Sequence, residues 1–443
     1  MQGPLIKVTP PGKKTEEFYK VLNNYETRSA HGKLEEYLVW ERAEGVYIFD
    51  IEGNRLLDLT SGFGTAILGY SHPEICKIAK KQIDILTLAP RWGTPYKLEL
   101  LKTFANLMPV KLQKFYLCSS GAEAVDVALK LARYFTAAIG YISFYGNFHG
   151  KTFGALSVSA RREYRQRILP LIPTVYFYPY PYCYRCPLGL EYPECSLSCI
   201  YLLEESLENP VSGIENISAI IVEPIQGNNG VIVPPKEFLP SLRKMCNKYG
   251  ILLILDEIST GIGRTGKLFA FEQENVVPDI LVFGKGISNG LIPLAGIASN
   301  SKIIDCWTPL FQTSTYMANP LACVIANKVL NMVSKREVLK NVCRVGSIFI
   351  NRFREMQEKY EIIGDVRGKG LMIGVELVKD RKTKTPATKE AEKLCISCIK
   401  RGVIIYITGQ YSNVIYITPA LTIDADKANI ALDIIEEALR CLE

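Results

Sequence analysis

Residues 251–272 read ILLILDEISTGIGRTGKLFAFE, and residues 278–290 read PDILVFGKGISNG. Each holds, at or near its start, a short run of apolar, often β-branched residues and then leaves it for glycine and charged or polar residues. Such a run, apolar at every position rather than every second one, is a strand buried on both faces. The pattern recurs at Tyr141–Phe144 and Ala219–Val222, with loop and helical sequence between the runs. Continuous apolar strands alternating with helices predict an α/β fold whose large domain holds a mainly parallel sheet flanked by helices. Sheets of this kind bind ligands at the carboxyl ends of their strands. Asp256 and Lys285 stand at two such ends.

The first stretch admits three chemical readings. Gly261-Ile262-Gly263-Arg264-Thr265-Gly266 matches a dinucleotide-binding glycine pattern. That pattern must follow its strand directly and open a helix, whereas Asp256–Thr260 intervenes here and no apolar helix follows. Gly261 to Lys267 also matches a nucleotide P-loop, but the next residue, Leu268, has no oxygen to hold magnesium. The third reading joins the two strand ends. Pyridoxal phosphate needs a lysine amine for its Schiff base and a carboxylate that keeps its ring nitrogen protonated. Lys285 and Asp256 supply that pair, and Gly284 and Gly286 let backbone approach a bulky ring. The plain alternative for Lys285 is a solvated surface lysine. The cofactor's phosphate needs an anion cradle, and Ser120-Gly121-Ala122 opens a helix after the short strand Phe115–Leu117. Taken alone, Ser120 reads as an ordinary N-cap.

Moving outward, Val46–Asp50 and Asn54–Leu59 predict a hairpin turning at Glu52-Gly53. Ile75–Leu86, Tyr96–Leu107 and Ala122–Tyr134 have helical apolar spacing, and Lys328–Lys359 reads as one long amphipathic helix. Strands at Gly374–Val378, Val403–Ile407 and Val414–Ile417, with a helix around Glu390–Arg401, suggest a smaller α+β C-terminal domain. The expected division is an N-terminal segment, 1–70, packing with the small domain, a large cofactor-binding domain over 71–330, and the small domain over 331–443.

The chain has 443 residues, 48% hydrophobic and 22% charged, enough for a large core. Its net charge is +7, but 45 acidic residues are spread among the 52 basic ones with no block of one sign. Neither a nucleic-acid nor a membrane surface is therefore expected. The start, MQGPLIKVTPPGKKTEEFYK, lacks the apolar stretch of a secretion signal, so a cytoplasmic protein is expected. Of 13 cysteines, Cys183, Cys186, Cys195 and Cys199 cluster in a proline-rich stretch read as a loop. A metal site, a disulfide clasp and free thiols all fit that spacing.

With these residues assembled, the chain resembles the class III pyridoxal-phosphate aminotransferases of fold type I, the group of 4-aminobutyrate and ornithine aminotransferases and, in the form of its cysteine-bearing insertion, archaeal and bacterial relatives. Eight segments carry the resemblance in order. They are GVYIFDIEGNRLLDLTSGFGTAILGYSHPEI, YLCSSGAEAVDVALKLAR, FYGNFHGKTFGALS, IVEPIQGNNGVIVPP, LDEISTGIGRTG, GKGISNGLIPLAG, STYMANPLA and VRGKGLMIGVEL. The resemblance implies that Ser120, Gly121 and Ala122 form the phosphate loop. It implies that Phe148 stacks on the cofactor ring and that Asp256 meets the ring nitrogen. Thr315 would reach the phosphate bound in a neighbouring subunit, which implies a homodimer with shared active sites or a dimer of dimers. Arg367 would grip a substrate carboxylate by its planar fork, and Glu223 would pair with Arg367 when the donor lacks that group. Two positions depart from the family. Ser259 stands where a longer glutamine often reaches the cofactor, and Lys151 replaces an arginine that contacts a carboxylate.

The resemblance implies transamination through Lys285, from an ω-amino acid or amine of the 4-aminobutyrate type to a 2-oxo acid such as 2-oxoglutarate. Its rival is an amino-acid racemase on the same scaffold. The departure at Lys151 keeps that rival open.

Overall fold

The apolar runs before Asp256 and Lys285 lie side by side in the computed structural model, which describes residues 3–442. They belong to a seven-stranded sheet made of β1 (Lys114–Cys118), β2 (Gly140–Phe144), β3 (Val175–Tyr178), β4 (Ile217–Val222), β5 (Leu252–Asp256), β6 (Ile280–Phe283) and β7 (Ala295–Ser299), in spatial order β1-β7-β6-β5-β4-β2-β3. The neighbours from β6 through β3 are parallel, and only β7 runs against both of its partners. Every residue of β5 and β6 is buried, as unbroken apolar runs require. Helix α1 (Gly121–Thr136) lays Val125, Ala128, Leu129 and Ala132 against this sheet, in one cluster with Ile221, Ile254 and Val282. Removing side chains the size of Val125 or Leu129 from water contributes about 1.5–3 kcal/mol each before entropy is counted.

The chain divides into two compact units. One spans 74–336 and holds the seven-stranded sheet; the other joins 1–73 to 337–443. The second unit contains a four-stranded sheet of Trp40–Glu44, Tyr47–Asp50, Arg55–Asp58 and Val403–Ile404, and the expected hairpin forms its middle. It also contains a sheet ordered Ile363–Lys369, Met372–Asp380, Val414–Ile417 and Tyr406–Thr408, with Thr385–Pro386 attached to Met372–Asp380.

Three local expectations are corrected. The long helix is two, Pro320–Val333 and Arg336–Lys359. The first ends where the Ser334 N–H folds back to the carbonyls of Leu330 and Met332. The apolar stripe continues across the break, which is why periodicity hid it. The strand Val403–Ile407 is divided, because Val403–Ile404 pairs with Leu57 and Asp58 while Tyr406–Thr408 pairs with Val414–Tyr416 in the other sheet. Finally, Cys199 is not in a loop but in the first turn of the helix Ser198–Glu208, and Cys183 opens a 3₁₀ turn. The prolines interrupt only the stretch between them. No helix among the described residues is long and apolar enough to cross a membrane.

Candidate active site

The register of β5 on β6 pairs Asp256 with Val282. Because the strands are parallel, Asp256 and Lys285 leave the sheet on the same edge. Asp256 is 3% exposed and is fixed through both oxygens. Oδ1 accepts the Ile258 N–H at 3.0 Å, and Oδ2 lies 2.7 Å from His149 Nδ1. An ionised Asp256 makes Nδ1 the protonated ring nitrogen. The other, Nε2, is buried and has no hydrogen-bond partner among the described residues.

The next residue, Glu257, turns away from the edge. Its buried carboxylate accepts the N–H groups of Ala270 at 2.6 Å and Phe271 at 2.8 Å and the Thr260 hydroxyl at 2.9 Å. It therefore ties the far end of the glycine-rich stretch back to its strand. Burial pushes this carboxyl up to about 7, against the pull of those donors.

Lys285 holds a positive φ of 44° after the extended Gly284. A non-glycine residue in that conformation carries strain of roughly 1–3 kcal/mol, which persists only where the surroundings impose it. Its Nζ donates to Ser259 Oγ at 2.7 Å. Burial lowers the pKa of the amine, opposed by the carboxylates of Glu223 and Asp256 and assisted by the Arg264 guanidinium. The site thus favours the neutral, nucleophilic form of a lysine.

Ser120 caps α1, its Oγ accepting the Glu123 N–H at 3.2 Å, while the Glu123 carboxylate accepts the Ser119 N–H at 2.9 Å. Two glycines set how closely the surrounding loops approach this helix start. A Cβ on Gly121 would come within 2.8 Å of Ile258 Cδ1. Gly150, at φ 140°, lies so near the helix that its Cβ would meet the Ala122 Cβ at 2.6 Å. Phe148 is half-buried, with its N–H on Glu223 Oε1 at 2.9 Å and its ring edge-on to Tyr164 at 5.9 Å. Glu223 also accepts the Gly227 N–H at 3.1 Å. Burial raises its carboxyl to about 7, with His149 pulling it down and Asp256 pushing it up.

The remaining residues expected at the site are less closely bound into this group. Lys151 is exposed, its Nζ 4.4 Å over the Tyr164 ring. Thr315 is exposed in a turn. Arg367 falls in the other unit, where its Nη1 is 2.6 Å from Asp365 and 2.8 Å from the fully buried Glu376. Cys183, Cys186, Cys195 and Cys199 are free thiols lining one small apolar pocket with Tyr180 and Leu197. Burial and neighbouring thiols push Cys183 up to about 11. No three His, Cys, Asp or Glu side chains are arranged to hold a metal ion among the described residues.

These residues fit pyridoxal phosphate. A buried amine of lowered pKa, a carboxylate backed by an imidazole, a helix start narrowed by glycines and an aromatic ring beside it make up the donor set that this cofactor takes. His149 is a residue of this group to which the reading of the sequence gives no role. Its partner lies on another strand, and the only signal was a histidine placed just after β2 in FYGNFHG.

The family model for class-III aminotransferases matches residues 28–439. The chain is 36% identical to the alanine/serine racemase of Pyrococcus horikoshii, over 99% of this chain and 93% of that one. It is 34% identical to the leucine/methionine racemase of Thermococcus litoralis, over 92% and 91% of the two chains. An amine transaminase from an uncultivated Pseudomonas species, solved in its PLP-bound form, superposes with a TM-score of 0.88 at 30% identity, covering 95% of this chain and all of that one.

Proposed function

The chain belongs to the class-III aminotransferase family, whose cofactor is pyridoxal phosphate, and from that premise we propose that it racemises neutral amino acids. In this reading Lys285 carries the cofactor, Asp256 with His149 behind it meets the ring nitrogen, and Ser120, Gly121 and Ala122 receive the phosphate. Phe148 would lie against the ring. When bound, the cofactor supplies an electron sink that makes the proton on the amine-bearing carbon removable. Lys285, its pKa lowered by burial, takes that proton as general base when neutral. A second acid or a water on the opposite face returns a proton to the same carbon, so no amino acceptor is consumed.

The observation that carries this choice is the similarity, over nine-tenths or more of the chain, to two amino-acid racemases at 36% and 34% identity. The resemblance offers the fork of Arg367 to a substrate carboxylate, which for a 2-oxo acid acceptor such as 2-oxoglutarate is the α-carboxylate. Asp365 and Glu376 already lie against that guanidinium, which bears on the α-carboxylate of either reaction alike. The names of the two racemases above, with alanine, serine, leucine and methionine as substrates, support the same class. Transamination from a 4-aminobutyrate-like donor is the second reading, favoured by the close superposition on an amine transaminase.

Incubation of the holoenzyme with single enantiomers of those four amino acids, without any oxo acid, separates the two. Racemisation predicts the mirror-image amino acid at constant total amine, resolved by chiral chromatography. Absence of inversion, together with amine transfer once 2-oxoglutarate is added, would overturn the choice.

A homodimer with Thr315 turned toward the neighbouring subunit's phosphate is part of the proposal. Exposed Ile83, Ile85, Leu88 and Trp92, and exposed Leu310, Phe311 and Tyr316 next to Thr315, suit a covered surface. A cytoplasmic location is proposed with it, since 13 free thiols suit a reducing compartment.

A further inference from the structure

We infer that Ser259 is a positioning residue for the Lys285 amine, and that its hydroxyl sets the direction and protonation of that amine as it engages a carbonyl. The inference rests on Lys285 being the lysine that carries the cofactor.

The 2.7 Å contact joins two side chains that the backbone aims independently. Ser259 sits in a turn fixed at both ends: Asp256 Oδ1 holds the Ile258 N–H at 3.0 Å, and the Gly261 N–H closes on the Glu257 carbonyl at 2.9 Å. Lys285 is aimed from the other strand by its positive φ of 44°. Ile258 packs toward both glycine positions, 121 and 284, so the turn is also wedged between the helix start and the lysine loop. A lysine side chain otherwise has up to ~2 kcal/mol of rotamer freedom to lose on being oriented.

A hydroxyl both donates and accepts, so Ser259 can hold the amine in either protonation state. The other charged groups acting on the amine are Glu223, Asp256 and Arg264. Reaction with an aldehyde requires the neutral form. The amine lone pair forms the carbon–nitrogen bond, and both amine hydrogens leave with the carbonyl oxygen as water. A hydrogen bond from an ammonium to Ser259 is stronger than one from a neutral amine. Losing the hydroxyl therefore lowers the pH at which the amine becomes reactive, while loss of orientation slows the fully deprotonated amine.

The test uses the full chain depleted of cofactor. The rate of linkage to added pyridoxal 5′-phosphate is followed by absorbance across the titration of the amine. Borohydride reduction and peptide mapping then locate the linkage. Ser259→Ala is expected to lower the high-pH limiting rate ~10-fold and shift the midpoint downward, with Ser259→Thr near the parent. The isosteric pair Ser259→Thr and Ser259→Val decides the matter should the alanine variant fold poorly, since only the hydroxyl separates them. Limiting rates and midpoints that ignore the hydroxyl, with the linkage mapped to Lys285, overturn the inference. A linkage mapped to another lysine overturns the cofactor-lysine reading itself.

Discussion

Asp256 is a carboxylate with both oxygens spoken for, one by the turn that follows it and one by His149. The two contacts predict different losses. Asp256→Asn keeps an acceptor for the Ile258 N–H but removes the negative charge, so kcat should fall by ~100-fold or more while cofactor absorbance is retained. His149→Gln keeps the charge and loses the imidazole behind it. A fall of ~10-fold is expected, with cofactor still bound. Equal kcat for either variant and the parent would contradict these roles. At this scale the sequence was informative wherever chemistry required an uncommon residue in an uncommon place. A lysine between two glycines after a buried strand was legible in that way. The His149 contact was not, because it is made between residues of different strands. Nor could the sequence reveal that Ser259 meets the lysine, which depends on the turn geometry of residues 256–261.

The turn after β5 and the loop after β2 hold the site's elements in place. Gly150 permits the second of these to lie against α1. Gly150→Ala combines a disfavoured φ of 140° with a 2.6 Å approach to Ala122. It should destabilise the protein by about 1–3 kcal/mol in chemical denaturation, through backbone strain and overpacking. Glu257 makes the first element pH-sensitive. Its carboxyl is raised from 4.5 to about 7 by burial, so the folded chain holds that proton more tightly than the unfolded one. The stability it contributes is full below its ordinary value and is lost as pH rises through about 7. Glu257→Gln should therefore show a smaller decline in denaturation midpoint between about pH 5 and about pH 8 than the parent. An unchanged decline would mean that this carboxyl does not titrate there. Buried strands were legible because their apolar runs are continuous. The break after Val333 and the switch of sheets at Ile405 were not, since hydrophobic pattern persists through both.

For the whole molecule, the family and its cofactor rest on a match running from residue 28 to residue 439, while the proposed reaction rests on the likeness to two racemases. The motif order made the family legible. The pairing of Arg367 with Asp365 and Glu376 was not, because Glu376 comes from the neighbouring antiparallel strand and looks like one more residue of VRGKGLMIGVEL. Assembly gives a further prediction. Sedimentation of the holoenzyme should show a dimer or a dimer of dimers, and Thr315→Ala should weaken cofactor binding ~10-fold without altering the fold. A monomer with unchanged affinity would contradict the shared site. The most direct test of the account is chemical. Reduction of the coloured holoenzyme with borohydride, followed by digestion and mass spectrometry, should place the pyridoxyl group on the peptide containing Lys285 and nowhere else, and Lys285→Ala should abolish it. A pyridoxyl group on any other lysine would contradict the account.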